Sequence, residues 1–225
     1  MKAMILAAGR GERMGKLTEE VPKPLTKIGE STLLEHNLKR VRKSGIKDVV
    51  INVSWLGDQI ISYVEKLDLG LNISISNEGR NLLGTGGGIK KAISILGEDP
   101  FYLVNADLFS DFKINPLLTI DSGKLGHLIL VKNPPHHSKG DFCLDRKILK
   151  PGDGKKTFTY SGISLLSPKL ILNHKDNIFP LEPILEEAAV SKMLTAEVYE
   201  GTWLDVGTPE RLNQAQEVLA SGRIS

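Results

Sequence analysis

The chain has 225 residues, of which 40% are hydrophobic and 25% are charged, a composition typical of an ordinary globular protein. Its formal net charge of +2 excludes the global basic field of a nucleic-acid-binding protein. The single cysteine, Cys143, excludes an internal disulfide, and no stretch approaches ~20 uninterrupted apolar residues, so we expect a cytoplasmic protein without a membrane partner.

Apolar runs alternate with amphipathic stretches through the first half of the chain. We predict strands at residues 2–6, 48–53, 71–76 and 101–105, and helices at 32–44, 55–67 and 88–96. This alternation predicts right-handed crossovers and an α/β fold with a doubly wound, mostly parallel sheet. Ligands bind beyond the carboxyl ends of strands in such sheets. The loops at 7–22, 77–88 and 105–111 are therefore the expected places for chemistry.

The second half of the chain has a less regular pattern. We predict strands at 128–131, 140–144 and 156–166, arranged as a meander or hairpin, and helices at 181–190 and 208–220. Because no linker, repeat or low-complexity segment separates the two halves, we predict a single domain over residues 1–225.

The loop after the first strand is rich in glycine and basic residues. Its glycine spacing fits neither the dinucleotide-binding fingerprint nor the phosphate loop of ATPases, because Gly15 comes one residue late for both. Glycines still let backbone N–H groups approach phosphate oxygens. Arg13 adds a cationic donor, and Lys23 is held between two prolines. The loop therefore favours phosphate binding over an ordinary solvated surface loop.

Two aspartates are candidate metal ligands. Asp107 follows the predicted strand at 101–105, and Asp205 lies in the apolar segment 202–209. Phosphoryl chemistry needs a hard cation, and Mg²⁺ takes carboxylate oxygens together with substrate phosphates. The alternatives are a turn or helix cap for Asp107 and a capping role at the last helix for Asp205.

A second glycine-rich loop covers residues 77–88. Its glycines can bring backbone groups against a flat ligand and begin a helix near phosphates. The alternative is a flexible turn.

Residues 6–14 and 22–25 together closely resemble the signature of the sugar-1-phosphate nucleotidyltransferases. The resemblance implies a Rossmann-like nucleotidyltransferase fold with a smaller sugar-binding β meander. It implies a nucleotide-binding half at about 1–110 and a sugar-binding half at about 111–225. The resemblance also implies a role for four side chains. Arg13 would stabilise the leaving pyrophosphate, Lys23 would hold phosphate, and Asp107 and Asp205 would hold Mg²⁺. The implied nucleotide contacts are Ala7, Ala8, Gly9, Gly11, Glu78, Gly84, Thr85, Gly86, Gly87 and Asn105.

Residues 133–142 and 159–163 narrow the resemblance to the N-acetylmuramate-1-phosphate uridylyltransferases of bacterial cell-wall recycling. This implies UTP and N-acetylmuramate-1-phosphate as substrates, in a monomer or small homo-oligomer. The candidate sugar contacts are His136, His137, Lys139, Gly140, Tyr160 and Gly162. The paired histidines could equally lie in a solvated loop, and Tyr160 and Gly162 in an interior strand.

The choice of base and sugar stays open at the level of sequence. The glutamine that often contacts uracil in uridylyl enzymes is not evident, although Glu78 lies nearby. A mannose-1-phosphate guanylyltransferase or another enzyme of the class is therefore an alternative. A non-catalytic protein that binds nucleotide sugars is the alternative from another class.

Overall fold

The computed structural model describes residues 1–152 and 157–224. Its strands are β1 (Lys2–Leu6), β2 (Lys27–Ile28), β3 (Ser31–Thr32), β4 (Asp48–Val53), β5 (Asn72–Asn77), β6 (Phe101–Asn105), β7 (Leu108–Ser110), β8 (Gly126–Val131), β9 (Phe142–Asp145), β10 (Ile148–Pro151), β11 (Thr159–Leu166), β12 (Leu194–Val198) and β13 (Trp203–Asp205). Its α-helices are α1 (Leu33–Lys43), α2 (Gly57–Val64), α3 (Gly84–Leu96), α4 (Lys169–Leu172), α5 (Glu182–Val190) and α6 (Pro209–Ala220).

A nine-stranded sheet in the order β5-β4-β1-β6-β11-β8-β12-β10-β9 forms the centre of the molecule. The four strands from the first half, β5, β4, β1 and β6, run parallel to one another. Successive side chains of β1 point to opposite faces, so Ala3 and Ile5 join one apolar cluster while Met4 joins another. The α/β class and the parallel sheet of the first half are confirmed.

The second half of the chain extends the same sheet. β11 lies antiparallel between β6 and β8, and β12 then runs parallel to β8. Of the second-half strands in this sheet, only β9 and β10 pair with their neighbour in sequence, as a hairpin at the sheet edge. The predicted meander is interrupted, because β12 and β10 lie between β8 and β9, whereas β8 and β11 are direct neighbours. The strand predicted at 156–166 is β11, and residue 156 lies outside the described residues.

Most first-half elements begin and end within one residue of the prediction, but two helices differ. α2 begins at Gly57 rather than at residue 55, because Leu56 adopts a left-handed conformation (φ 50°) that cannot continue a helix, and it ends at Val64 rather than at residue 67. α3 begins at Gly84, four residues before its predicted start. Glycine is a poor helix former, so the sequence pattern placed this turn in the loop.

Close packing explains the glycines in the first turn of α3. A Cβ atom on Gly86 would lie 2.3 Å from the Phe179 ring, and one on Gly87 would lie 2.3 Å from the Asn177 carbonyl oxygen. Real Cβ atoms do not approach other heavy atoms this closely. Residues 177–179 can therefore pack on the helix only because Gly86 and Gly87 have no side chains. The glycines therefore serve helix packing at these two positions.

We expect Gly87→Ala to lower the thermal stability of the protein. The added methyl group meets a backbone oxygen rather than a mobile side chain, so the overpacking costs about 1–3 kcal/mol, or roughly 3–10 °C in Tm. Thermal denaturation followed by circular dichroism measures the change. Lys91→Ala on the exposed side of the same helix is the control, and an equal Tm for both variants would contradict this packing account.

Within residues 1–152 and 157–224, the structure contains no helix long and apolar enough to cross a membrane.

Candidate active site

A cavity of about 620 Å³ opens at the carboxyl ends of β1, β4 and β6. Its wall consists of Leu6, Ala7, Ala8, Gly9, Arg10, Gly11, Glu12, Arg13, Lys23, Pro24, Asn52, Glu78, Leu82, Gly84, Thr85, Asn105, Ala106, Asp107 and Gly207. The structure thus brings both predicted glycine loops, both predicted catalytic cations and one predicted metal ligand to one place. Gly86 and Gly87 do not line this cavity, because they are buried beneath residues 177–179.

The first glycine loop folds back on itself through a 3₁₀ segment, Glu12–Thr18. Gly11 and Gly15 both have positive φ angles, and the Thr18 hydroxyl donates to the carbonyl oxygens of Gly11 (3.0 Å) and Gly15 (3.2 Å). A Cβ atom on Gly11 would lie 3.0 Å from the Lys23 Cβ. The absence of a side chain at Gly11 therefore lets the Lys23 stem pack against the loop.

Lys23 and Asp107 form a direct ion pair in the cavity wall. The Lys23 ammonium donates to Asp107 Oδ2 over 2.6 Å, and the two side chains are 12% and 27% exposed. A charge-assisted bond of this length in a partly buried setting fixes both side chains. It holds the ammonium predicted to bind phosphate and the carboxylate predicted to bind metal at one point.

Asp205 reaches the same region through a short antiparallel ladder between β13 and β7. The Val206 N–H donates to the carbonyl oxygen of Asp107 over 2.8 Å, so the main chains of the two predicted metal ligands are neighbours. The Asp205 carboxylate contacts the Arg211 guanidinium, and its Oδ1 lies 3.2 Å from His136 Nε2. The Arg211 Nη1 also donates to His136 Nε2 over 2.8 Å.

Arg211 is a buried residue of this site that the sequence pattern did not reveal. It lies in the first turn of α6, where a positive charge opposes the helix dipole. That unfavourable position is the one local signal that could have identified it. A Cβ atom on Gly207 would lie 2.4 Å from Arg211 Nη2 and 3.1 Å from Arg13 Nη2, so two guanidinium groups flank Gly207 at the cavity wall.

The donor set around Asp107 and Asp205 suits Mg²⁺ when substrate is present. Among the described residues, no group of three or more His, Cys, Asp or Glu side chains is placed to hold a metal ion. Mg²⁺ rarely uses such a cage in phosphoryl enzymes, since one or two carboxylates and the substrate phosphates complete its shell. Two partly exposed carboxylates, one in the turn between β6 and β7 and one at the end of β13, fit that arrangement.

A buried polar chain connects the two glycine loops. The Ala7 N–H donates to Asn52 Oδ1 (2.9 Å), the Asn52 amide donates to Glu78 Oε1 (2.7 Å), and the Leu83 N–H donates to Glu78 Oε2 (3.0 Å). Asn52 was missed at the level of sequence, although an amide at the end of the apolar strand β4 was a visible signal. This chain fixes the Glu78 carboxylate in the cavity wall.

A second cavity of about 240 Å³ adjoins the first and shares Leu6, Thr85 and Asn105 with it. Its other lining residues are Asp141, Phe142, Tyr160, Leu181, Glu182 and Leu185. Tyr160 was predicted for the sugar site and lies here. Burial raises the pKa of its phenol, so the hydroxyl stays protonated and shares a 2.7 Å hydrogen bond with Ser164.

The other predicted sugar residues do not line this cavity. Gly162 packs on Asn105, where a Cβ atom would lie 2.7 Å from the amide nitrogen, and the register of β11 shifts beside it. His137 Nε2 contacts Asp141 Oδ1 over 2.7 Å and so brings a basic group next to the cavity. Lys139 is exposed, and Gly140 packs on Asn133.

Of the residues that line only the second cavity, five were missed: Asp141, Phe142, Leu181, Glu182 and Leu185. Three of them come from the start of α5, which the sequence pattern predicted as a helix without a role in the site. Their proximity to the nucleotide loop depends on long-range packing that no local pattern reveals.

The family model described as Nucleotidyl transferase matches residues 2–140, and the chain belongs to this family. An N-acetylmuramate alpha-1-phosphate uridylyltransferase from Neisseria meningitidis serogroup B is 38% identical, over 98% of this chain and 99% of that protein. The protein of the same description from Caulobacter vibrioides is 28% identical, over 97% and 96%. A mannose-1-phosphate guanyltransferase from Yarrowia lipolytica is 28% identical over 93% of this chain and 61% of its own length.

Solved structures show the same fold at lower sequence identity. HddC from Yersinia pseudotuberculosis, complexed with GMP-PN, superposes with a TM-score of 0.80 at 22% identity, over 97% of this chain and 99% of that chain. A putative glucose-1-phosphate thymidylyltransferase from Bacillus anthracis superposes with a TM-score of 0.84 at 18% identity, over 97% and 94%. The Rossmann-like nucleotidyltransferase fold is thereby confirmed.

Proposed function

We propose that the protein transfers a uridylyl group from UTP to N-acetylmuramate-1-phosphate, giving UDP-N-acetylmuramate and pyrophosphate. One observation carries the reaction class: a large cavity lined by glycine loops and cations meets a smaller cavity that holds two carboxylates, and they meet at Thr85 and Asn105. A nucleotide in the first and a sugar phosphate in the second would meet near Thr85 and Asn105, and the Lys23–Asp107 pair would face the nucleotide. The relatives from Neisseria and Caulobacter support this particular pair of substrates.

The reaction needs no general base from the protein, because the sugar-phosphate oxygen is already an anion. That oxygen attacks the α-phosphorus of UTP, the new P–O bond forms, and the bond to the β-phosphate oxygen breaks with release of pyrophosphate. Lys23 and Arg13 neutralise charge on the triphosphate and orient it for in-line attack. Asp107 and Asp205 would hold Mg²⁺, which when bound neutralises charge on the phosphates.

The second cavity suits the hydroxyl and acetamido groups of the sugar. Asp141 and Glu182 offer acceptors for O–H and N–H donors. The same carboxylates would repel the lactyl carboxylate of muramate. We infer that this group points away from Asp141 and Glu182.

Glu78 supplies a chemical criterion for the base. Its carboxylate accepts hydrogen bonds, and uracil presents an N3–H donor whereas cytosine presents an acceptor at the same ring position. Guanine presents two donors on that edge, so the same carboxylate supports the guanylyl alternative, as does the mannose-1-phosphate guanyltransferase relative. We therefore expect CTP to be rejected and GTP to be a competing nucleotide.

Pyrophosphate release, measured with Mg²⁺, tests the proposed function. We expect release with N-acetylmuramate-1-phosphate and UTP, and at least about tenfold less with CTP or ATP, because a base that presents an acceptor to the Glu78 carboxylate costs at least about 1–2 kcal/mol. GTP and dTTP present a donor there, so they are the nucleotides that compete with UTP. Release with mannose-1-phosphate and GTP alone would replace the proposal by the guanylyl alternative. Tight nucleotide binding with no release from any pair would favour a non-catalytic role.

A further inference from the structure

A segment without regular secondary structure forms part of the second cavity and is held in place by α3. This segment, residues 174–181, is called the strap here, and it joins α4 to α5. Leu181 at its end and Glu182 directly after it line the second cavity. The position of that cavity wall therefore depends on what fixes the strap.

Backbone contacts fix the second half of the strap to the first turn of α3. The Phe179 carbonyl oxygen accepts from the N–H groups of Gly86 (3.0 Å) and Gly87 (3.1 Å), and the Phe179 N–H donates to the Leu83 carbonyl oxygen over 2.9 Å. The Thr85 hydroxyl oxygen accepts from the Leu181 N–H over 2.8 Å. Thr85 also lines both cavities.

Lys90 fixes the first half of the strap, one turn further along the same helix. Its ammonium donates to the carbonyl oxygens of His174 (2.7 Å) and Asp176 (3.0 Å) and to Asn177 Oδ1 (3.0 Å). An ammonium has three protons, and all three are used on one short segment. The stacked rings of His174 and Phe179, with centroids 3.7 Å apart, tie the two halves of the strap together.

We propose that Lys90 is a positioning residue for the sugar-phosphate cavity: through the strap, it sets the position of Leu181 and Glu182. This inference rests on the proposed function, because it assigns the sugar phosphate to the second cavity. Lys90 does not line either cavity, so it acts through the strap and not by touching substrate. The nucleotide loop and the sugar wall are then parts of one rigid unit built on α3.

The test separates sugar binding from nucleotide binding. In Lys90→Met we expect KM for the sugar phosphate to rise about tenfold, because a misplaced cavity wall loses contacts with that substrate, while the Kd of UTP from calorimetry stays within about twofold. Lys90→Arg should recover part of the loss, since its guanidinium can still donate to two or three acceptors. Lys91→Met, on the exposed side of the same helix, is the control and should behave as the wild-type protein.

Other outcomes would overturn the inference. Unchanged KM in Lys90→Met would show that the strap holds its position without the ammonium. Equal weakening of UTP and sugar-phosphate binding would show a general loss of structure. If the wild-type protein prefers another sugar phosphate, the proposed substrate fails, but the same comparison with that sugar phosphate still tests the role of Lys90.

Discussion

Replacing Asp107 with alanine is expected to lower kcat by about three orders of magnitude while the fold survives. Its carboxylate is the predicted metal ligand in the large cavity, and it also holds the Lys23 ammonium at 2.6 Å. The variant therefore loses a ligand for the charge-neutralising ion and frees a cation that was fixed for phosphate binding. Steady-state pyrophosphate release at saturating UTP and sugar phosphate measures the loss.

The control for this prediction is Asp145→Ala. Asp145 pairs with Lys150 on the β9–β10 hairpin and lines neither cavity. Because an exposed ion pair contributes little, its removal should leave kcat within about twofold of the wild-type value. An Asp107→Ala enzyme with near-normal turnover and normal Mg²⁺ dependence would remove Asp107 from the proposed metal site.

Lys23→Met is expected to lower kcat/KM by about two to three orders of magnitude. The side chain is largely buried in the cavity wall, and its stem packs against Gly11. Methionine keeps most of that stem but removes the charge, so the lost rate reports on phosphate stabilisation more than on packing. The same pyrophosphate assay, with UTP and the sugar phosphate varied in turn, measures this effect.

Lys27→Met provides the matched comparison, because Lys27 is an exposed lysine on β2, shortly after Lys23 in the sequence. Its kinetics should match those of the wild-type protein. If Lys23→Met and Lys27→Met gave the same kcat/KM, the Lys23 ammonium would have no role in the reaction.

The first half of the fold was predictable because its signals are local. β1, β4 and β6 are short apolar runs, and α1 has a capping threonine, Thr32, whose hydroxyl accepts from the Glu35 N–H. Placement of the glycine loop and Lys23 in one cavity followed from the general position of sites in parallel sheets. The family resemblance supplied the pairing of Asp107 with Asp205, which no local pattern contains.

The remaining features depend on contacts between distant parts of the chain. The glycines of α3 have a packing role that becomes visible only when Phe179 lies on them. Arg211 and His136 meet at Asp205 although 75 residues separate them in sequence. His136, His137 and Lys139 were predicted from their proximity in a distinctive loop, whereas the second cavity draws Leu181, Glu182 and Leu185 from a distant part of the chain.

The short ladder between β7 and β13 has a consequence for biosynthesis. A nascent chain emerges from its N-terminus, and domains tend to fold as their segments become available. β1, β4, β5 and β6 can pair early, but Asp205 joins Asp107 only after β13 has been translated and has found β7. The ladder that brings the two predicted metal ligands together is therefore among the last contacts a growing chain can form, and a chain that stops before β13 lacks the paired carboxylates.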